Sequence, residues 1–184
     1  MRCFVAVDLD RCLVRQVKEI QDNMSNLNVD VKFVESENLH FTLKFLDEVS
    51  EDEIGVIKRS IEEALKNIDA FKISIEGLCY FGGSTYVRTL WLGVNEGKDE
   101  FVKLAKNVND CIGKHEENTS PHLTIGRVKS GRNRELLLNF INKHKDVKIG
   151  EMDVKNVKLK SSTLTGKGPL YSDLAVFGFG GDKE

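Results

Sequence analysis

A four-residue pattern occurs twice in the chain, once as His40-Phe41-Thr42-Leu43 and once as His122-Leu123-Thr124-Ile125. Polar and apolar side chains alternate in each copy, which is typical of a β-strand that buries one face. Successive side chains of a strand point to opposite faces, so each histidine shares a face with its threonine, roughly 6.6 Å away. Two such strands side by side would bring two imidazoles and two hydroxyls into one space. The repeat therefore predicts a phosphate-sized site between two strands.

Length and charge restrict the kinds of protein that this chain can be. It has 184 residues, of which 40% are hydrophobic and 30% are charged, and its formal net charge is −2. These values are typical of a globular protein with a sizeable core. Because no global basic field is present, a nucleic-acid or phosphate ligand must be met by a local patch. We expect one domain over residues 1–184, a cytoplasmic location, no membrane association and a monomer without an obligatory protein partner.

Cysteines and histidines give little support to a metal site. The four cysteines have no C-x-x-C spacing and no histidine at the offsets of a zinc site, which favours free thiols in a reducing compartment. Neither histidine motif carries an Asp or Glu that would complete a metal site with the two imidazoles. We therefore expect no metal and no cofactor.

Helix and strand patterns alternate along the chain. Helices are predicted after Asp10, after a capping box at residues 50–53, from Lys98 to about Gly113 and from Arg134 to His144. Strands are predicted between them, and residues 161–169 are predicted to be a polar, glycine-rich segment. Short strands with hairpin-like turns favour an α+β fold with antiparallel or mixed sheets and helices outside. The two motif strands belong to two comparable halves.

Two imidazoles and two hydroxyls suit proton transfer at a phosphate. Histidine, with an ordinary pKa near 6.5, holds either protonation state at neutral pH. One ring can therefore take a proton from an attacking oxygen while the other gives a proton to a leaving oxygen. Threonine hydroxyls can donate to the non-bridging phosphate oxygens and stabilise the pentacoordinate state. The motifs themselves are symmetric and do not say which histidine is the acid.

Further sequence blocks surround both motifs. They are Arg2-x-Phe4-x-Ala6, residues 38–46, Leu90-Trp91-Leu92-Gly93, residues 121–127, residues 160–164 and Gly168-Pro169-x-Tyr171. With these blocks, nearly the whole chain resembles the two-histidine phosphoesterase superfamily. Within it, the chain is most similar to the RNA 2',3'-cyclic phosphodiesterase family, also called 2'-5' RNA ligase. Phe33 departs from the family pattern, since members often carry Trp there.

The resemblance implies a bilobal fold in which two pseudo-symmetric sheets form a central cleft. It also implies hydrolysis of a ribose 2',3'-cyclic phosphate to a 2'-phosphate, and reversible joining of RNA ends through a 2'-5' bond without ATP. The partners would be RNA ends or nucleotides that carry this phosphate. In the family pattern His40 is the general acid at the 3'-oxygen and His122 the general base at water. Thr42 and Thr124 hold the phosphate.

Arg127 is a candidate contact to the nucleotide by the same resemblance. It follows His122 by five residues, so in a regular strand it would face away from the cleft. A β-bulge near Gly126 would return it to the cleft face. The alternative is an arginine on the surface or at the edge of the core.

Lys44 and Tyr171 are two more candidate substrate contacts. Lys44 shares the face of His40 and Thr42 by alternation and would add positive potential, although a solvated lysine is an equal alternative. Tyr171, like Phe33, could stack on a base, but an aromatic residue in a strand is more often part of the core.

Two other functions remain open from the sequence. A module that binds RNA ends without catalysis would use the same cleft. An esterase for a small non-RNA cyclic phosphate, such as an ADP-ribose derivative, would prefer substrates of mononucleotide size. The remaining histidines, His115 in a polar loop and His144 at a helix end, are expected on the surface.

Overall fold

The structure is a computed structural model that describes residues 1–83, 85–113, 120–166 and 168–179. Strands in these ranges are β1 (Arg2–Asp8), β2 (Val31–Phe33), β3 (His40–Glu48), β4 (Phe71–Gly83), β5 (Tyr86–Val94), β6 (His122–Val128), β7 (Lys148–Val154), β8 (Asn156–Thr165) and β9 (Gly168–Gly178). The α-helices are α1 (Val14–Ser25), α2 (Glu51–Leu65), α3 (Lys98–Ile112) and α4 (Arg134–Lys143). None of the helices in the described ranges has both the length and the apolar content needed to span a membrane.

Helix boundaries follow the capping residues that the sequence supplies. The carboxylate of Asp10 accepts a hydrogen bond from the backbone N–H of Cys12 at 3.0 Å, in the turn that leads into α1. Ser50 and Glu53 form the predicted capping box at the start of α2. Gly113 ends α3 with a φ of 79°, a conformation that glycine adopts without steric cost. Local chemistry therefore sets the boundaries of these helices.

The strands form one antiparallel sheet with two comparable halves. Its main path runs β7-β4-β5-β6-β3-β1-β8-β9, and β2 is added along β6. The halves meet where β3 lies beside β6, and the ladder between these two strands consists of one residue pair, Phe41 and Leu123. The predicted α+β fold is confirmed, and the two predicted sheets are joined into one.

Apolar side chains on one face of the sheet pack against the helices. Phe41 of β3 has its ring centroid 5.4 Å from that of Phe101 in α3. Leu123 and Ile125 of β6 are fully buried in the same hydrophobic cluster. The alternation in the repeat therefore separates a core face from a polar face, as predicted.

The described residues between 161 and 169, which the sequence indicated only as a polar and glycine-rich segment, belong to a β-hairpin. Most of this segment is strand, because β8 continues to Thr165 and β9 begins at Gly168, with paired residues along the whole hairpin. Polar residues on both faces hid the strand pattern, since this hairpin extends beyond the core. The hairpin carries Tyr171 to the cleft side of the sheet, where Asn38 donates a side-chain hydrogen bond to the carbonyl of Pro169 at 3.4 Å.

A β-bulge interrupts β6 directly after the second motif. The register of β6 against β5 shifts after Thr124 and leaves Ile125 as an extra residue. Gly126 follows, where an added Cβ would lie only 2.8 Å from a methyl carbon of Val31 in β2. A bulge reverses the alternation of the residues that follow it. The bulge near Gly126 that would return Arg127 to the cleft is therefore present, and Arg127 lies on the cleft face.

The first motif strand carries the same bulge, which corrects the interpretation of Lys44. The register of β3 against β1 shifts after Thr42 and leaves Leu43 as the extra residue. Lys44 is therefore turned away from His40, and its side chain is 2% exposed. Its Nζ donates to Oδ1 of Asn109 in α3 at 2.8 Å. The prediction that Lys44 lies on the cleft face was wrong, because strict alternation ignores the bulge.

Replacement of Asn109 by leucine is expected to destabilise the fold. Asn109 accepts from the buried Lys44 ammonium, and its amide donates to the carbonyls of Leu43 and Ala105 at 3.1 and 2.7 Å. Loss of one partner of a buried charge costs about 2–4 kcal/mol. Urea titration of Asn109→Leu should show this decrease in the free energy of unfolding. Asn142→Leu, on an exposed position of α4, should change it by less than about 0.5 kcal/mol. Equal stability of the two variants would contradict the buried role of Lys44.

Candidate active site

A cavity of about 850 Å³ lies between the two halves of the sheet. Its lining includes His40 and Thr42 from β3 together with His122 and Thr124 from β6. These four side chains come from the face of each strand that does not pack against the helices. The structure therefore brings both motifs to one cavity.

The same backbone contact orients both imidazoles. Nδ1 of His40 lies 2.7 Å from the carbonyl oxygen of Asn38, and Nδ1 of His122 lies 3.0 Å from that of Ser120. A carbonyl oxygen only accepts, so Nδ1 is the donor in each ring and Nε2 is the nitrogen that can exchange a proton. Nε2 of His40 lies 3.1 Å from Oγ1 of Thr42. Each ring therefore has one nitrogen fixed by the backbone and one available for chemistry.

Aromatic side chains surround the ring of His40. Its centroid lies 5.0 Å from that of Phe4 and 5.5 Å from that of Tyr171, which meets it edge-on. Desolvation by this packing disfavours the imidazolium and lowers the pKa of His40, while the Asn38 carbonyl and the Asp8 carboxylate act in the opposite direction. Burial also raises the pKa of the Tyr171 hydroxyl. His40 therefore differs from a freely solvated histidine.

His122 has its own aromatic neighbours from the other half of the sheet. Phe81 of β4 meets the imidazole edge-on at 5.1 Å between centroids, and Trp91 of β5 meets it edge-on at 6.0 Å. Phe81 and Trp91 stack on each other at 5.0 Å. This packing holds the ring of His122 at the cavity wall.

An ion network that the sequence did not reveal lies beside His40. Nζ of Lys160 lies 2.8 Å from Asp8 and 2.7 Å from Asp173, and Lys158 contacts the same two carboxylates. Lys160 lines the cavity, and Asp8 lies opposite His40 in the pairing of β1 with β3. Only the antiparallel register brings these distant residues together, so no local pattern could have indicated the network.

Two of the three candidate substrate contacts lie in the cavity. Arg127 and Tyr171 line it, and so does Phe33. Lys44 is buried against α3 and does not line it. The structure adds Phe45, which lines the cavity with 59% of its surface exposed. The bulge in β3 moves this position to the cleft face, which is why alternation alone missed it.

The remaining histidines and the cysteines are dispersed. His144 ends α4, where its Nδ1 lies 2.8 Å from the carbonyl oxygen of Phe140. His115 lies outside the described residues. The four cysteines are free thiols. In the part of the chain that the structure describes, no three His, Cys, Asp or Glu side chains are grouped closely enough to hold a metal ion.

Comparison with known proteins places the chain in a family. The sequence profile of the 2'-5' RNA ligase superfamily matches residues 11–160. The chain belongs to this superfamily. An RNA 2',3'-cyclic phosphodiesterase of Methanothermobacter thermautotrophicus is 42% identical over 181 residues, which cover 96% of this chain and 98% of the relative. One of Archaeoglobus fulgidus is 40% identical, with 96% and 99% covered.

Solved structures share the fold at lower sequence identity. The protein TT0787 of Thermus thermophilus aligns with a TM-score of 0.79 and 24% identity over 97% of this chain and 98% of that one. LigT of E. coli in its apo form aligns with a TM-score of 0.76 and 20% identity, covering 97% and 96%. The α+β architecture of this superfamily member is therefore also found in these solved structures.

In this 2'-5' RNA ligase superfamily member, His40 is expected to titrate below the ordinary range of histidine. Packing around the ring penalises the imidazolium, so the ring should stay neutral to a lower pH than an exposed histidine with a pKa near 6.5. NMR titration of the ring Hε1 proton would measure the midpoint, and His40→Gln would assign the resonance. Inorganic phosphate should raise the midpoint, because an adjacent anion stabilises the imidazolium. A midpoint at or above 6.5 in the free protein would contradict the desolvated environment.

Proposed function

We propose that the chain hydrolyses RNA 2',3'-cyclic phosphate ends to 2'-phosphates by acid–base catalysis with two histidines. The observation that carries this proposal is the convergence of both His-x-Thr motifs on one cavity. Relatives that match nearly the whole chain are named RNA 2',3'-cyclic phosphodiesterase, which supports the same substrate class here. RNA ends or nucleotides with a 2',3'-cyclic phosphate would occupy the cavity.

In the proposed reaction a water oxygen attacks phosphorus and the bond from phosphorus to the 3'-oxygen breaks. Nε2 of His122 takes a proton from the water, and Nε2 of His40 gives a proton to the 3'-oxygen. Each such transfer typically contributes 10²–10⁴-fold. The Nδ1 contacts of the two rings are alike and do not distinguish the acid from the base. The assignment of the two roles therefore follows the family pattern. At the end of one turnover the two rings have exchanged protonation states.

The surroundings of His40 agree with its proposed role as the acid. Desolvation that lowers the pKa of His40 makes its imidazolium a stronger proton donor. A bound phosphate would favour the protonated ring before the reaction, since an anion beside an imidazole raises its pKa. Substrate binding would therefore favour protonation of His40, the form that acts as the acid.

Thr42 and Thr124 are proposed to hold the phosphate between the two rings. Both hydroxyls line the cavity on the same face as the histidines. Hydrogen bonds from hydroxyls to an anionic phosphate are charge-assisted, and they strengthen as negative charge builds up in the pentacoordinate state. In the free protein the Thr42 hydroxyl lies beside Nε2 of His40, so substrate binding would exchange this contact for one to phosphate.

The nucleotide is proposed to lie between Phe45 and Arg127. Each follows its motif histidine by five residues, and the equivalent bulges bring both side chains into the cavity. An aromatic face and a guanidinium plane both stack on bases with little sequence preference. Tyr171 lines the same cavity and is a further proposed contact to the nucleotide.

The reaction is proposed to need no metal ion or other cofactor. The two imidazoles already supply both proton transfers that hydrolysis requires. Glu35 and Glu37 line the cavity, but neither forms a three-donor group with His, Cys, Asp or Glu among the described residues. Such a group is what zinc sites in proteins use.

The same site is proposed to join RNA ends. When a 5'-hydroxyl occupies the place of water, its oxygen attacks phosphorus and the bond to the 3'-oxygen breaks. The product is a 2'-5' phosphodiester, and no ATP is consumed because the cyclic phosphate supplies the bond that is exchanged. The proton transfers are the same as in hydrolysis.

His40→Ala and His122→Ala are each expected to lower kcat on RNA with a cyclic-phosphate end by about 10²–10⁴-fold, because each removes one proton transfer. Chromatography of the 2'-phosphate product would measure the loss, and circular dichroism would show that the fold is retained. His144→Ala, at the end of α4, is the matched control and should keep wild-type activity.

Three results of this assay would contradict the proposal. Wild-type activity in both histidine variants would contradict acid–base catalysis by His40 and His122. Activity that is abolished by EDTA and restored by zinc would show a metal mechanism. Binding without any product after long incubation would indicate an RNA-end binding module instead of an enzyme.

A further inference from the structure

A second cavity, of about 710 Å³, adjoins the first and extends along β5 and β6 away from the motifs. The two cavities share Phe45, Phe81, Thr89, His122, Arg127 and Lys129. Tyr86 and Arg88 line the second cavity but not the first. The second cavity therefore begins at the side chains of the first cavity that surround His122.

Side chains of β6 lead from the reacting histidine into the second cavity. His122 and Thr124 are followed, after the bulge, by Arg127 on the same face, and Lys129 lies just beyond the end of the strand. Arg127 also lies directly opposite Lys32 of β2, which lines the first cavity. Positive charge therefore increases along the strand with distance from the motif.

A further bulge, in β5, adds Arg88 to these cations. Pairing of β4 with β5 places Phe81 opposite Thr89 and Gly82 opposite Val87, which leaves Arg88 as the extra residue. Val87 is buried in the core, whereas Arg88 and Thr89 both line the second cavity. The bulge is therefore the reason that an arginine stands beside Arg127 and Lys129 on the cleft face.

These cations have no carboxylate partners within the described ranges. No salt bridge to a described residue is formed by Lys32, Arg88, Arg127 or Lys129. The acids Glu35 and Glu37 line the first cavity but not the second. A negatively charged chain that leaves the catalytic cavity is therefore attracted towards Arg88 and Lys129, away from the two glutamates.

We propose that the second cavity binds the ribonucleotide that precedes the cyclic-phosphate end. Arg88 and Lys129 would contact the phosphodiester that links the last two nucleotides. The exposed ring of Tyr86, 65% accessible, offers a stacking face for the preceding base. A positively charged groove with an aromatic platform is the arrangement that binds single strands without sequence preference. The inference rests on the proposed function, and it makes RNA ends better ligands than mononucleotides.

The affinity for two reaction products tests this subsite. Calorimetry would compare adenosine 2'-monophosphate with the dinucleotide ApA that carries a 2'-phosphate on its last ribose. The dinucleotide is expected to bind about tenfold more tightly, and the slope of log Kd against log salt should be steeper by about 0.7 for the additional phosphate. Arg88→Gln and Lys129→Gln should each remove most of this preference. Arg59→Gln, exposed on α2, should keep it.

Equal affinities of the wild type for the two products would overturn the subsite. A preference that survives in both Arg88→Gln and Lys129→Gln would also overturn it, because the RNA would then leave the cavity by another path. Because the readout is product binding, it does not depend on turnover. A dinucleotide preference without hydrolysis of cyclic-phosphate RNA would reject the proposed enzymatic function but support the subsite. Hydrolysis of cyclic-phosphate RNA without a dinucleotide preference would support the proposed enzymatic function but reject the subsite.

Discussion

The boundary at which β3 lies beside β6, called the seam here, sets the positions of the two motifs relative to each other. Only Phe41 and Leu123 pair across it, and both side chains are fully buried. The seam is therefore held by the core beneath it more than by a hydrogen-bonded ladder. Each of these residues lies next to a motif histidine, so alternation turns His40 and His122 to the other face. The cavity lies on this other face and is lined by residues from both halves of the sheet.

Two copies of one strand pattern produce a symmetric set of proposed catalytic groups, and their neighbours remove the symmetry. Both imidazoles donate from Nδ1 to a carbonyl two residues earlier, and both strands bulge directly after the threonine. The contacts then differ, since His40 lies beside Tyr171 and a lysine–aspartate network, whereas His122 lies against Trp91. Equivalent bulges present Phe45 on one side and Arg127 on the other. A symmetric scaffold can thus support the proposed acid, the proposed base and two different proposed contacts to the nucleotide.

The spacing of apolar residues and the helix-capping residues allowed much of the fold to be predicted from the sequence. The repeat predicts a strand at the second motif, and β6 runs there from His122 to Val128, because the alternation and the preceding Pro121 both act locally. Bulges are less visible, since they depend on the register against a partner strand. In β6 Gly126 gave a local signal, whereas the equivalent position of β3 is Lys44, which looked like an ordinary outward residue. The Asp8–Lys160 contact joins residues 152 positions apart, and no local pattern encodes it.

Two imidazole nitrogens on opposite sides of one phosphorus are the arrangement on which the proposed catalysis depends. A crystal structure with orthovanadate, which mimics the pentacoordinate phosphate, would test this arrangement most directly. The expected result is one vanadate in the cavity, with Nε2 of His40 and Nε2 of His122 each about 2.6–3.2 Å from a different apical oxygen. The hydroxyls of Thr42 and Thr124 should contact its equatorial oxygens. Vanadate that contacts only one imidazole, or that binds outside the cavity, would contradict the proposed mechanism.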